Sequence, residues 1–249
     1  MISIQPRNQR RQAMCSYKFT ELKWLSVAFA ILAALFIAVP ALDLSVGSLF
    51  FEDGHWLFER DSGWLALPYQ GLPRLGQATL IALVALWLLS FVHAHDSLRA
   101  RRFHFGFLLV AALLGPVLLV DFGLKGHSGR ARPVNVQEFG GRSHFTPAFI
   151  PANECRKNCA FVSGHVATTS FLMAFGWLGP PARRRRWLIL SAVAGGFMTL
   201  VRMAPGGHFL SDGIFAWFSV YFILWLTERS FRLFNLLPGQ VLVADDVRD

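Results

Sequence analysis

The sequence predicts an all-α fold, a polytopic membrane helical bundle with six transmembrane helices. Hydrophobic residues make up 54% of the 249 residues, with 24 Phe and 8 Trp, which leaves too few polar residues to cover a soluble domain. A helix that crosses the bilayer core, about 30 Å thick, needs roughly 20 apolar residues. The chain contains six apolar runs close to this length, and basic residues flank several of them.

The six predicted spans form one membrane domain, residues 23–227. A cytoplasmic N-terminal tail, residues 1–22, precedes this domain, and a cytoplasmic C-terminal tail, residues 228–249, follows it. The first span could instead be a secretory signal, but its charged preamble is long and no clean A-x-A cleavage site follows, so we expect it to be retained. The spans are Lys23–Asp43, Gln77–Ala94, Gly106–Leu124, Phe161–Gly179, Trp187–Ala204 and Phe209–Thr227.

The formal net charge of +9 could indicate a nucleic-acid partner, but the placement of the basic residues argues against one. They cluster before the first span and after the second, fourth and sixth spans, which all lie on one side of a six-span bundle. The positive-inside rule makes this side cytoplasmic, with both termini inside. The clusters are Arg7, Arg10, Arg11, Lys18 and Lys23; Arg99, Arg101 and Arg102; Arg183–Arg186; and Arg229 and Arg232.

Two of the three cysteines, Cys155 and Cys159, share the predicted outer loop between the third and fourth spans. In an oxidising periplasm they could form a local disulfide, and otherwise they would be two free thiols. The sequence leaves both alternatives open. Their spacing matches neither a cysteine-rich metal site nor a ferredoxin pattern.

Polar residues gather at the predicted outer ends of the last four spans. They combine the residue types that bind phosphate with two histidines and one carboxylate. The three groups are Lys125 and Arg132 in KGHSGRARP; Ser163, Gly164 and His165 in FVSGH; and Arg202, His208 and Asp212 in VRMAPGGHFLSD.

This set of side chains is suited to phosphoryl chemistry. Arginine forks match phosphate oxygens, and the helix start at Ser163 and Gly164 offers unpaired N–H groups to an anion. His208 and Asp212 are four residues apart, so on a helix the carboxylate can fix the imidazole tautomer of a nucleophile. His165 remains as the proton donor to the leaving alcohol. Carboxylates are too few for a two-metal site, so we expect no metal and no cofactor.

The spacing K-x6-R-P, then S-G-H, then R-x5-H-x3-D resembles the three-part motif of the type 2 phosphatidic acid phosphatase superfamily, the lipid phosphate phosphatases. The resemblance implies a helical membrane enzyme that forms a phosphohistidine at His208 and uses His165 as acid. Val162 and Val201 depart from the proline and serine that this family usually has there. The resemblance also implies a phosphate cradle made of Lys125, Arg132, Ser163, Gly164 and Arg202.

Within this superfamily, residues 41–51, ALDLSVGSLFF, and residues 139–148 are most similar to bacterial lipid A phosphatases. The predicted function is therefore removal of phosphate from a lipid A-like glycolipid at the periplasmic face of a bacterial inner membrane. Undecaprenyl diphosphate and phosphatidylglycerol phosphate phosphatases share the core motif. A lipid phosphotransferase could use the same intermediate, whereas a phosphate-lipid binder or flippase would need neither His208 nor Asp212.

The outer loop carries more basic residues than one phosphate cradle uses. We expect these extra residues to lie on the surface and to contact further anionic groups of a glycolipid headgroup, or bulk anionic lipid. The residues are Arg130, Arg142, Arg156 and Lys157.

Overall fold

The computed structural model describes residues 7–60, 63–92 and 96–237, with side chains from Ser16 onward. The outermost parts of both predicted tails, and Ala94 at the end of the second predicted span, lie outside these residues. The described chain is mostly helical. Its only sheet has two short antiparallel strands, Phe51–Glu52 and His55–Trp56.

Ten α-helices, one π-helical segment and three short 3-10 turns make up the described chain. The α-helices are α1 Arg7–Ala38, α2 Ala41–Ser48, α3 Gly63–Leu89, α4 Asp96–Ala100, α5 Arg102–Ala112, α6 Lys125–His127, α7 Gly164–Ser170, α8 Ala174–Trp177, α9 Pro181–Met203 and α10 Leu210–Leu233. The π-helical segment is Leu113–Leu124, and the 3-10 turns are Pro133–Asn135, Gln137–Phe139 and Phe171–Met173.

Among the described residues, five helical stretches are long and apolar enough to cross a membrane: Ser16–Ala38, Gly63–Leu89, Arg102–His127, Pro181–Met203 and Leu210–Leu233. The predicted fourth span, residues 161–179, instead forms a shorter helical stretch from Gly164 to Trp177, made of α7, a 3-10 turn and α8. At 1.5 Å per residue this stretch is about 21 Å long, less than the thickness of the bilayer core. The count of six spans is therefore not confirmed.

Several predicted span boundaries differ from the helices. The first span was predicted to reach Asp43, but α1 ends at Ala38, and Pro40 separates it from α2, which contains Asp43. The second span was predicted from Gln77, but α3 begins at Gly63 and contains Pro68 and Pro73. Prolines and glycines lower helix propensity, but tertiary packing can override this preference. The early start of α3 brings its first turns beside the polar end of the bundle.

The predicted third span lies inside one continuous helical stretch, residues 102–127. Its middle part is π-helical and contains Pro116, whose ring removes a backbone N–H donor. A π-helical segment is uncommon and is often found near functional sites. Lys125 follows this segment directly.

Helices α7, α9 and α10 pack together in the centre of the bundle. Val166, Met198 and Phe215 are among the buried side chains that they contribute to the main hydrophobic core. The helices approach closely where small residues face each other: a Cβ at Gly213 would lie 2.2 Å from Thr199 Oγ1. Glycine at this position therefore allows α10 to pack against α9.

Ion pairs join α1, α9 and α10 at one end of the bundle. Arg184 lies near the start of α9, and its Nη2 atom is 2.7 Å from Oε1 of Glu21 in α1. Its Cζ atom is 3.6 Å from the centre of the Trp177 ring. Lys18 in α1 pairs with Glu228 near the end of α10. Arg202 lies at the opposite end of α9, and Asp212 lies at the opposite end of α10.

Candidate active site

The structure gathers the eight motif residues at one end of the bundle. They lie at the end of the helical stretch 102–127, in the loop after it, at the start of α7, at the end of α9 and at the start of α10. The backbone N–H of Ser163 donates to the Asp212 carbonyl oxygen at 3.0 Å, which joins the second motif directly to the third. Residues far apart in the sequence therefore form one polar cluster.

His208 and Asp212 form a buried pair around the start of α10. His208 Nδ1 lies 3.3 Å from Asp212 Oδ2, and both side chains are almost fully inaccessible. The same Oδ2 accepts the backbone N–H of Phe209 at 2.8 Å, so the carboxylate also satisfies a donor at the helix start. This second contact fixes the side of Asp212 that faces the imidazole.

Burial lowers the pKa of His208 well below its usual value, and the nearby cations Arg202, Arg132 and Lys125 lower it further. Both causes disfavour an imidazolium. His208 is therefore neutral near pH 7, the protonation state in which a ring nitrogen has a lone pair for attack.

The start of α7 packs against the Lys125 ammonium. A Cβ at Gly164 would lie 2.6 Å from Lys125 Nζ and 2.8 Å from Asp121 Oδ1, so only glycine fits there without movement. Asp121 accepts a hydrogen bond from Lys125 at 3.0 Å, which holds the ammonium beside the helix start. A cation and a helix N-terminus therefore meet at one point, an arrangement that favours an anion.

Two buried groups beside this helix start have unused hydrogen-bonding capacity. The Ser163 hydroxyl and the Nε and Nη1 atoms of Arg202 have no hydrogen-bond partner among the described residues, although Arg202 is only 2% exposed. Leaving such groups unpaired in a protein interior costs about 1–3 kcal/mol each, and more for charged groups. A phosphate oxygen between them would satisfy these donors.

Arg132 is held by the disulfide-closed part of the loop that follows α6. Its Nε and Nη2 atoms donate to the carbonyl oxygen of Asn158 at 3.2 and 2.9 Å. Asn158 lies between Cys155 and Cys159, which form a disulfide with Cα atoms 5.6 Å apart. Of the two alternatives that the sequence left open, the structure has the disulfide.

Tyr69, in the early part of α3, contacts two motif residues and was missed by sequence reasoning. Its ring centre lies 4.0 Å from Arg202 Cζ, and its backbone carbonyl oxygen lies 3.2 Å from His165 Nε2. The His165 and Tyr69 ring centres are 5.3 Å apart. Tyr69 stands in no recognisable motif, so only the unexpected length of α3 reveals its position.

A largely apolar cavity of 390 Å³ adjoins the cluster between α3, the π-helical segment and α7. Leu72, Leu80 and Ala112 are among its apolar lining residues, and Asp121 and Thr168 are among its polar ones. Asp121 is the partner of Lys125. The cavity therefore reaches from the membrane-spanning helices to the cationic cluster.

The prediction that Arg130 lies on the loop surface is wrong. Arg130 is 1% exposed, and its guanidinium pairs with the buried carboxylates of Asp43 and Asp212. The other three basic residues of the predicted surface set, Arg142, Arg156 and Lys157, are exposed. Within residues 7–60, 63–92 and 96–237, no cluster of three or more His, Cys, Asp or Glu could hold a metal ion.

Comparison with known proteins gives one family and three curated relatives. The PAP2 superfamily model matches residues 103–235, which include all eight motif residues. A lipid A 4'-phosphatase of Francisella tularensis subsp. novicida is 32% identical over 193 residues, 77% of this chain and 86% of the relative. Lipid A 4'-phosphatases of Rhizobium etli and Rhizobium leguminosarum are 34% and 30% identical, each over 76% of this chain, and cover 78% and 86% of those relatives. No solved structure gives a significant match.

Proposed function

This chain belongs to the PAP2 superfamily, and we propose that it is a membrane phosphatase that removes a phosphate from a lipid A-like glycolipid. The observation that supports this proposal most directly is the set of buried, unpaired donors of Arg202 and Ser163 beside the His208–Asp212 pair. The three similar proteins bear the name lipid A 4'-phosphatase, which makes the 4'-phosphate of lipid A the first phosphate to test.

The proposed reaction begins with attack by His208 on phosphorus. With Nδ1–H directed to Asp212, Nε2 carries the lone pair that forms the new N–P bond. The P–O bond to the lipid breaks, and protonated His165 gives its proton to the departing alkoxide. Phosphohistidine is then hydrolysed: water attacks phosphorus, its proton goes to His165, and the N–P bond breaks to restore His208 and release phosphate.

Lys125, Arg132 and Arg202 have the proposed role of stabilising the transferring phosphoryl group. Charge on its equatorial oxygens is balanced by these cations, while Ser163 and the first N–H groups of α7 donate hydrogen bonds. The bound dianion also favours the protonated form of His165 beside three cations. The protein groups supply every proton and charge that the reaction needs, so we propose a metal-independent mechanism.

The apolar cavity provides a place for one acyl chain of the substrate. It adjoins the Lys125–Asp121 pair and runs along helices that are suitable for crossing a membrane. A lipid whose phosphate lies in the cradle could therefore keep a chain in contact with Leu72, Leu80 and Ala112.

We place the enzyme in a bacterial inner membrane, with the site facing the periplasm and both termini in the cytoplasm. In this proposal the membrane domain is residues 23–227 and has six passages. Five are the long helices, and the short stretch Gly164–Trp177, the fourth along the chain, is the remaining one and is surrounded by them. Basic residues such as Arg184 cluster at the end of the bundle opposite the site, which supports this orientation through the positive-inside rule. A reporter fused near Arg142 should score as periplasmic, and a cytoplasmic score would overturn the orientation.

The test of the function is phosphate release by purified protein from lipid A, undecaprenyl diphosphate, phosphatidylglycerol phosphate and phosphatidic acid. We expect preferential loss of the 4'-phosphate of lipid A, retained activity in EDTA, inhibition by vanadate and no turnover by His208→Ala. Near-normal activity of His208→Ala would exclude the phosphohistidine mechanism. Phosphate that leaves lipid A only when a lipid acceptor is added would identify a phosphotransferase.

A further inference from the structure

Arg130 bridges two buried carboxylates that come from distant parts of the chain. Its Nη1 atom lies 2.6 Å from Asp212 Oδ1, and its Nη2 atom lies 2.8 Å from Asp43 Oδ2. All three side chains are at most 1% exposed. The loop after the third predicted span, helix α2 and the first turn of α10 therefore meet at one guanidinium.

Ser211 completes this arrangement. Its hydroxyl donates to Asp43 Oδ2 at 2.6 Å and accepts from Arg130 Nη1 at 2.8 Å. Its backbone N–H donates to Asp43 Oδ1 at 2.9 Å. Asp43 thus holds both the arginine and the backbone of the turn that carries Asp212.

The contacts divide the two oxygens of Asp212 between different partners. Oδ1 faces Arg130, whereas Oδ2 faces His208 and the N–H of Phe209. The Phe209 ring centre lies 4.4 Å from Arg130 Cζ, and Arg130 Nε donates to the Thr146 carbonyl oxygen at 2.9 Å. With the guanidinium fixed from three directions, the Asp212 carboxylate has one orientation toward the imidazole.

Stability alone is a poor explanation for three buried charges. Removing charges from water is costly, and replacing a buried ion pair by packed apolar side chains is often neutral or stabilising. Orienting the partner of a nucleophile is a different matter, because a misplacement of 1 Å can reduce turnover about 100-fold.

We propose that Arg130 is a positioning residue for the His208–Asp212 pair and that Asp43 acts through Arg130. The inference rests on the proposed phosphatase function. Arg130 fixes the orientation of Asp212, and Asp212 then holds the His208 tautomer that attacks phosphorus. Asp43 anchors the arginine and shares its charge, so that Asp212 remains a strong acceptor for the His208 N–H.

The test is a double-mutant cycle on the full-length protein in detergent, with lipid A as substrate. We expect Arg130→Gln to lower kcat about 100-fold while KM changes less than about threefold, because the phosphate cradle is left in place. Asp43→Asn should have a smaller effect. If Asp43 acts through Arg130, the double variant should be no slower than Arg130→Gln alone.

Two further variants separate positioning from folding. Arg130→Lys retains the charge but cannot bridge both carboxylates with a planar fork, so we expect an intermediate kcat. Arg185→Gln changes an exposed arginine near the start of α9, at the end of the bundle opposite the site, and should leave kcat unaltered. If Arg130→Gln does not fold, Arg130→Lys replaces it in the cycle with Asp43→Asn.

The positioning role would be overturned if the losses of kcat in Asp43→Asn and Arg130→Gln were additive in the double variant. It would also be overturned if kcat fell in proportion to the thermal unfolding midpoint across all variants. An unchanged kcat in folded Arg130→Gln would do the same. These results differ from failure of the proposed function, in which the wild-type protein itself would release no phosphate from any of the lipids.

Discussion

The guanidinium of Arg202 stacks on the ring of Tyr69, with Cζ 4.0 Å from the ring centre, while its Nε and Nη1 atoms remain without a hydrogen-bond partner among the described residues. The aromatic face thus fixes the plane of the arginine without using these two donors. A stacked arginine can present its fork to a phosphate with little loss of side-chain freedom on binding.

This relationship predicts different effects for two substitutions of Tyr69. Tyr69→Phe keeps the ring and should retain most activity, whereas Tyr69→Leu removes the cation–π contact, worth about 1 kcal/mol, and should lower kcat/KM roughly fivefold. The measurement is kcat/KM for lipid A with each variant. Equal activities of the Phe and Leu variants would show that the ring face does not orient Arg202.

The low pKa of His208 predicts the pH dependence of the reaction. Since the neutral imidazole attacks, activity should persist as pH falls through about 6.5, the usual histidine value, and should be lost only below it. Burial is the main cause, and Arg202, Arg132 and Lys125 are the cations that add to it, while Asp212 faces Nδ1. Removing one cation should therefore move the acid limb upward.

Arg132→Gln tests this expectation, with Arg185→Gln, at an exposed arginine near the start of α9, as the control. The second ionisation of a phosphate monoester also lies near pH 6, so the comparison between variants is more informative than the wild-type profile alone. We expect the acid limb of kcat/KM to shift to higher pH only in Arg132→Gln. Superimposable limbs in the two variants would contradict the electrostatic account of the His208 pKa.

Short-range sequence information was sufficient to select the polar cluster and most of the membrane-spanning helices. Apolar runs report burial in lipid locally, and the spacing of Lys125, Arg132, His208 and Asp212 is a local pattern. The fourth predicted span was harder, because an apolar run does not distinguish a full passage from a shorter helix buried among neighbours, as for Gly164–Trp177.

The contacts around Arg130 could not be predicted in the same way. A basic residue in a basic loop is usually exposed, and nothing near Arg130 in the sequence indicates that Asp43 lies opposite it. Tyr69 was missed for a related reason, since Pro68 and Pro73 obscure the early start of α3. These features depend on how distant segments pack, and hydropathy and local spacing do not report such packing.

The disulfide between Cys155 and Cys159 is predicted to support substrate binding through Arg132. It closes the short loop whose Asn158 carbonyl oxygen accepts two hydrogen bonds from the Arg132 guanidinium. Replacing both cysteines by serine should weaken this support by about 1 kcal/mol, which lowers kcat/KM roughly fivefold. Steady-state kinetics of the wild type with and without reductant should show the same loss.

The double serine variant is also the control for the reductant. It should not respond to reductant, because Cys15 is then the only cysteine left and cannot form a disulfide within the chain. An activity that is unchanged by removal of both cysteines would show that Arg132 is held without the disulfide.

The cavity between α3, the π-helical segment and α7 predicts a dependence on acyl-chain length. Ala112 lines this cavity, so Ala112→Phe should fill part of it and clash with a long acyl chain, at an overpacking cost of about 1–3 kcal/mol. A cost of about 1.4 kcal/mol corresponds to a loss of roughly 10-fold in kcat/KM for a long-chain lipid phosphate. A short-chain, water-soluble phosphate ester does not reach the cavity, so its kcat/KM should change little.

Leu118→Phe is the matched control, because Leu118 lies on the same helical stretch with its side chain exposed. Equal losses on the long and short substrates in Ala112→Phe, or equal effects of the two substitutions, would show that no substrate chain occupies this cavity.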